Sequence, residues 1–369
     1  MSRTEQAEQR RMLAGTALAA IGALWLVAAA SLMAGGEGWG YDYRAYADAA
    51  GRLDATGTLY QPETLEGPYR PGPFGLYMYA PPLGVAIGPL ADLELDTAVT
   101  LWFVLHALAL AGACALMPVE RWIKLAMFGM AALSYAVVRD LALGNVSVLL
   151  LLPLAAAWRW LDRPAGAVAQ AVAMAVRPTL GVLLVWQLLR RQWRAVGWTI
   201  GAGLVLVALS LPFVGLDGYR DYLTVLANLE GVTGVERNYD ISSTALELGL
   251  GESLAELTLL VGYALAIAAI GLSLRREREL GFVVTASASV LLSPLLWDHY
   301  LAMLVLPAAF LAARGHSWGL ALPLLSWLPG PALPFVALAG VWLPFLAREP
   351  RSPMFEPEPS STPPPEPAA

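Results

Sequence analysis

MLAGTALAAIGALWLVAAASLM, residues 12–33, carries no charge and directly follows Arg10 and Arg11. As a helix rising 1.5 Å per residue it reaches about 33 Å, enough to cross the roughly 30 Å hydrocarbon core of a bilayer. A cleavable leader has a shorter apolar region, and further apolar runs follow this one, so it reads as a retained span. Those runs lie at 97–117, 125–138, 145–160, 195–214, 254–274, 280–297, 299–313 and 332–347. The expectation is an all-α polytopic membrane protein of about ten transmembrane helices.

Composition points the same way. Of 369 residues, 57% are hydrophobic and only 14% charged, with a mean hydropathy of +0.58. A soluble chain needs about a quarter of its residues charged to cover its surface. The net charge of -6, with basic residues scattered through short loops, gives no footprint for nucleic acid. Cys114 is the single cysteine and lies in an apolar run, which excludes a disulfide framework and a thiolate metal cluster.

Three stretches do not read as straight spans. Residues 76–91 hold Pro81, Pro82 and Pro89 with Gly84 and Gly88, which interrupts helical hydrogen bonding and predicts a re-entrant or interfacial segment. Residues 165–189 have arginines at both ends and Arg177-Pro178 near the middle, which predicts two short helices returning to one face. Residues 319–330 stay ambiguous. Irregular backbone at membrane depth is tolerated only against protein or a polar cavity, so these breaks point to a polar site inside the bundle.

Basic residues concentrate in cytoplasmic loops. Placing Arg3, Arg10 and Arg11 inside also places Arg121, Lys124, Arg159, Arg163, the Arg190–Arg194 cluster, Arg275–Arg278, Arg314, Arg348 and Arg351 inside. Both termini are then cytoplasmic. Loop 34–96, the turn 139–145, loop 215–253 and the Asp298-His299 turn share the opposite, external face, where one polar site can collect them. The expected organisation is a transmembrane domain over 1–348 and a disordered, Pro-rich cytoplasmic tail over 349–369.

The first external loop contains GGEGWGYDYRAYADAAGRLDATGTLY (35–60), which predicts a surface helix from Asp42 to Gly57. Asp42 is either its N-cap or a catalytic carboxylate. Tyr41, Tyr43, Tyr46, Tyr60, Tyr69, Tyr77 and Tyr79 crowd this region as interfacial anchors or as surfaces for sugar rings. In VVRDLALGNVSVLL (137–150), Arg139, Asp140 and Asn145 read locally as an ordinary solvated turn. Arg177 is different, because an arginine inside an apolar hairpin is costly unless it faces a cavity or a partner. In LLSPLLWDHYLAML (291–304), His299 has a carboxylate beside it at Asp298. The acids of DLELD (92–96) are better explained as a helix start than as a metal site.

Taken in order, GYDYRAYADAAGRLDATGTLY (40–60), YAPPLGVAIGPLADL (79–93), GNVSVLLLLPLAAAW (144–158), VRPTLGVLLVWQLLRRQWRA (176–195) and SPLLWDHYLAMLVLP (293–307) resemble segments of glycosyltransferase family 87. These are polyprenyl-phosphate-mannose-dependent mannosyltransferases of the GT-C class. Arg177 stands where that family usually has lysine, and loop 215–253 offers only Asn238 and Ile241-Ser242-Ser243 in place of an Asn-Gln-Ser element. The resemblance implies a GT-C-like bundle that moves a hexose, mannose in that family, from a polyprenyl-phosphate donor to a lipid or glycan acceptor on the external side. Because the donor arrives through the bilayer, no nucleotide-binding loop is needed, and no metal or other cofactor is expected. Asp42 is the candidate base, and Arg177 the candidate cation for the departing phosphate, with Arg139 and His299 next. Asn145, Tyr46 and Asp298 complete the expected substrate-binding set, and one positioned carboxylate implies displacement with inversion. A transporter or flippase is the alternative; it predicts two matching halves, and no second copy of the acidic, tyrosine-rich first loop is present.

Overall fold

The computed structural model describes residues 2–36, 38–67, 75–229 and 238–347. Tyr69, loop residues 230–237 and the tail expected over 349–369 lie outside the described residues. The described chain is helical throughout: α1 (Arg3–Met33), α2 (Tyr41–Thr56), α3 (Pro62–Glu66), α4 (Pro81–Ala91), α5 (Leu95–Leu116), α6 (Arg121–Ala132), α7 (Tyr135–Leu143), α8 (Ser147–Arg159), α9 (Pro164–Val176), α10 (Val182–Leu189), α11 (Trp193–Asn228), α12 (Ile241–Glu247), α13 (Glu252–Ser273), α14 (Arg278–Leu291), α15 (Val305–Ala313) and α16 (Leu333–Trp342). Short 3-10 segments include Pro178–Gly181, Asp298–Leu304 and Ser317–Trp327.

Four helices, α1, α5, α11 and α13, are long and apolar enough to cross a membrane, and the bent pair α6 and α7 makes a fifth if it forms one span. The remaining apolar helices are shorter, among them α4, α8 and α9. α1, α11 and α13 turn apolar side chains outward, including Leu24, Leu204, Phe213 and Leu260. Exposed apolar surface of that extent belongs against lipid. The core is the reverse case: α14 is buried at every position from Leu280 to Leu291, and α15 from Val305 to Ala312. α8, α13 and α16 pack around α14, and the 3-10 segment Asp298–Leu304 lies against both α14 and α7.

The apolar runs divide more finely than their hydropathy indicates. The run 125–138 breaks at Leu133-Ser134, where the axis bends by 65°. There Ser134 N-caps α7 by accepting from the Val137 N–H. Residues 165–189 do form two short helices broken at Arg177-Pro178, as the residue before proline is pushed into extended backbone. Gln170 and Gln187 hold them together by reciprocal amide hydrogen bonds of 3.2 and 2.9 Å. Residues 76–91 contain the single short helix α4.

Loop 215–253 starts at a true break, since Gly215 departs from helical geometry inside α11, but the chain is helical again to Asn228. That extension is fastened to the first loop: Asn228 donates to the Thr64 carbonyl at 2.8 Å, Thr58 to Asp221 at 3.3 Å, and the Tyr60 and Tyr222 rings stack at 6.3 Å.

α1 docks on α6 through a glycine crossing. A Cβ at Gly22 would stand 2.7 Å from the Gly129 Cα, and one at Gly129 would stand 2.2 Å from the Leu18 carbonyl oxygen. Contact this close is possible only without side chains on either helix. Gly129→Val therefore costs about 1–3 kcal/mol by overpacking. Gly197→Val, at a position with nothing within 4 Å, stays near neutral. Thermal unfolding of the detergent-purified variants checks both.

Candidate active site

The site forms around the turn between α7 and α8. Gly144 ends α7 in the left-handed region at φ 71°, and a Cβ there would meet Tyr43 and the Trp102 ring. Trp102 Nε1 donates to the Gly144 carbonyl at 2.8 Å, and the Gly40 N–H donates to Ala142 at 2.8 Å, which ties the start of α2 to the same turn. Asp140 is fully buried, and its carboxylate accepts the Ser147 and Val148 N–H groups at 3.0 Å each. These are amides of the first turn of α8, left without intrahelical partners, so Asp140 caps that helix from seven residues upstream. The reading of Arg139-Asp140 as a solvated turn is overturned at Asp140, whose side-chain oxygens are needed inside to complete α8.

Asn145 is the hub. Its Nδ2 donates to Asp42 Oδ2 at 2.8 Å and to the Tyr79 hydroxyl at 3.2 Å. Its Oδ1 accepts from the Val146 N–H at 2.8 Å and the Ser147 hydroxyl at 3.1 Å. Ser147 Oγ accepts in turn from Arg177 Nη2 at 2.9 Å. The guanidinium of Arg177 lies over the Tyr300 ring, 3.7 Å from its centre. One unbroken path of hydrogen bonds thus joins Asp42 to Arg177. Tyr46 closes the group by donating to the Tyr79 hydroxyl at 3.1 Å.

Asp42 is not the cap of α2. Gly40 holds that position, and the Asp42 carboxylate, in the first turn, points instead to Asn145. Burial raises its pKa above the ordinary 3.8, while His299, the Asn145 hydrogen bond and Arg139 pull the other way. Arg139 bears electrostatically on both Asp42 and Asp298. Asp298 accepts from the His299 N–H at 2.7 Å and faces His299 Nδ1 at 3.3 Å. That pairing selects the tautomer with its proton on Nδ1.

All seven residues singled out in the sequence, Asp42, Tyr46, Arg139, Asn145, Arg177, Asp298 and His299, therefore belong to one neighbourhood. Among the described residues, three of them keep buried nitrogens with no hydrogen-bond partner: Arg139 Nε, Arg177 Nη1 and His299 Nε2. Buried donors are ordinarily satisfied, so the two arginine N–H groups suit a bound anion, while His299 Nε2, unprotonated in this tautomer, is an acceptor. Loop 215–253 also arrives: Asn238 Oδ1 accepts from the Leu296 N–H at 2.9 Å, and the Tyr239 N–H donates to the Leu296 carbonyl at 2.7 Å.

Sequence reasoning missed three members of the network. Ser147, the link to Arg177, sits three residues after the glycine that ends α7. Tyr300, the platform under Arg177, directly follows His299. Tyr79 was one aromatic among many. Five of the seven tyrosines, Tyr43, Tyr46, Tyr60, Tyr77 and Tyr79, are buried rather than set out as interfacial anchors or an open sugar surface. Tyr46, Tyr77 and Tyr79 pack ring on ring with centroids 5.2–6.2 Å apart. They form the packing between α2 and the segment leading into α4.

A buried polar hub thus joins a carboxylate to an arginine inside a helical membrane bundle. The family model for glycosyltransferase family 87 matches residues 77–307, more than half of the chain. The chain belongs to that family. No curated protein matches the chain. The family match covers Arg139, Asn145, Arg177, Asp298 and His299, while Asp42 and Tyr46 precede it and reach the site through α2.

Asn145→Ala removes the hub and strands the groups it satisfied, at about 1–3 kcal/mol of stability. A lowered thermal midpoint in detergent, with helical content retained, is the expected result.

Proposed function

We propose that the chain transfers a hexose, mannose being the sugar its family resemblance implies, from a polyprenyl-phosphate donor to a hydroxyl of a lipid or glycan acceptor on the non-cytoplasmic face. The observation that carries this reading is the path Asp42–Asn145–Ser147–Arg177, which sets a carboxylate at one end and a cation with a free nitrogen at the other.

The acceptor oxygen attacks the anomeric carbon, its proton passes to Asp42, and the bond from that carbon to the phosphate oxygen breaks. The electron pair leaves with the polyprenyl phosphate, whose growing charge Arg177 stabilises through Nη1. Arginine suits this task because its planar fork can hold Ser147 with one nitrogen and phosphate with the other. Tyr300 fixes the guanidinium plane from below. His299, oriented by Asp298, offers Nε2 as an acceptor to a sugar hydroxyl.

The acids divide their roles by what already occupies them. Asp140 is bound to two backbone amides and Asp298 to His299. Asp42 has one hydrogen bond among the described residues, through Oδ2, which leaves Oδ1 for the acceptor. One available carboxylate supports direct displacement and inversion rather than a two-carboxylate scheme.

Asp42→Asn keeps the size of the side chain and loses the base, so transfer of labelled sugar from polyprenyl-phosphate donors falls 10²–10⁴-fold with little loss of thermal stability. Wild-type rates in the Asn variant contradict the base assignment. Arg177→Ala lowers transfer about 10²–10³-fold, and Arg177→Lys recovers part of it.

The pH profile gives an independent check. A raised pKa keeps Asp42 protonated to higher pH, so the base is lost earlier on acidification. The acid limb of the transfer rate then lies above 3.8, and it is absent from the residual rate of Asp42→Asn.

A further inference from the structure

α8 runs from Ser147, at the candidate site, to Arg159, and α9 runs back from Pro164 to Val176, just before Arg177. Thirteen residues of helix make about 20 Å. At the far ends of these two helices are two adjoining cavities of about 750 and 710 Å³ that share Leu161, Asp162, Arg163 and Arg278 as a common wall. The proposed transfer chemistry uses none of this region.

Six arginines line the pair of cavities, against the three acids Asp162, Glu277 and Glu279. The acids are already engaged. Asp162 pairs with Arg278, while Glu277 and Glu279 hold Arg314 at 2.7 and 3.0 Å. These pairs tie the α8–α9 turn to the start of α14, and the start of α14 to the end of α15, so the walls are built. Arg159, Arg163, Arg191 and Arg194 remain, and among the described residues their side chains have no ion-pair or hydrogen-bond partner.

Depth decides what such a cleft takes. Trp193 and Trp198 line the second cavity and are 64% and 55% exposed, at the point where α11 begins its apolar run. Exposed tryptophans at the mouth of a span mark the headgroup level of a bilayer. Uncompensated guanidiniums at that level face lipid phosphates rather than bulk solution, and Arg binds phosphate through two parallel hydrogen bonds. We infer that this double cleft, opposite the candidate active site, is a binding site for the headgroup of an anionic phospholipid, with Arg163 and Arg194 as its principal ligands and Trp193 and Trp198 flanking the acyl chains.

The test is native mass spectrometry of the full-length protein in detergent with added phosphatidylglycerol or phosphatidylcholine. Phosphatidylglycerol is expected to be retained in preference and to be lost as ionic strength rises. The Arg163→Gln/Arg194→Gln double variant is expected to bind it roughly 30-fold more weakly, about fivefold for each arginine, with phosphatidylcholine retention and thermal midpoint unchanged. Equal retention of the two lipids by wild type overturns the inference without reference to any variant. So does undiminished phosphatidylglycerol binding in the double variant. Binding of glycerol 3-phosphate as tight as that of the lipid also overturns it, by making the cleft a site for a soluble anion.

Discussion

A charged guanidinium buried among apolar helices must find compensation, and the burial of Arg177 governs much of what surrounds it. Its direct contacts are a hydroxyl and a ring, since Ser147 accepts from one nitrogen and Tyr300 lies under the plane, while the Asp140 carboxyl bears on it electrostatically without contact. An adjacent carboxylate would neutralise the charge. A hydroxyl and a π-face hold it in place and leave it able to attract an anion. Ser147 serves only because the α7–α8 turn is fixed, and that turn is fixed by Asp140 beneath it, Trp102 beside it and Asn145 within it.

The same turn positions the opposite charge. Asn145 uses one side of its amide for Ser147 and the other for Asp42, so the carboxylate and the cation are placed by a single side chain. The tyrosine packing between α2 and α4 brings Asp42 there. A stable structural ion pair would bring the two charges into contact, whereas here two neutral side chains keep them apart. That arrangement matches a reaction in which a proton is taken at one place and a phosphate released at another.

Much of this was legible in the sequence because membrane burial makes charge conspicuous. Arg177 stood out against its apolar hairpin, and the order of the apolar runs set the break at Gly215 and the paired short helices around Pro178. The positive-inside pattern grouped the loops that the structure gathers at one site. What stayed hidden depends on tertiary contact. Asp140 looks solvated in a local reading, and only the unsatisfied amides of α8 explain its burial. The bend at Ser134 involves no proline or glycine, so hydropathy passes through it unbroken. Tyrosines near a bilayer suit interface and interior equally well until their neighbours are known.

The central claim is that Asp42, the one of the site's carboxylates not taken up by a backbone amide among the described residues, drives direct displacement of a lipid phosphate held by Arg177. Its most direct test is the anomeric configuration of the transferred sugar, read by NMR on product made by wild-type protein from an isotopically labelled polyprenyl-phosphate donor. Inversion relative to the donor is the predicted result. Retention would contradict the account, because it requires a second reacting group where Asp140 and Asp298 are already bound.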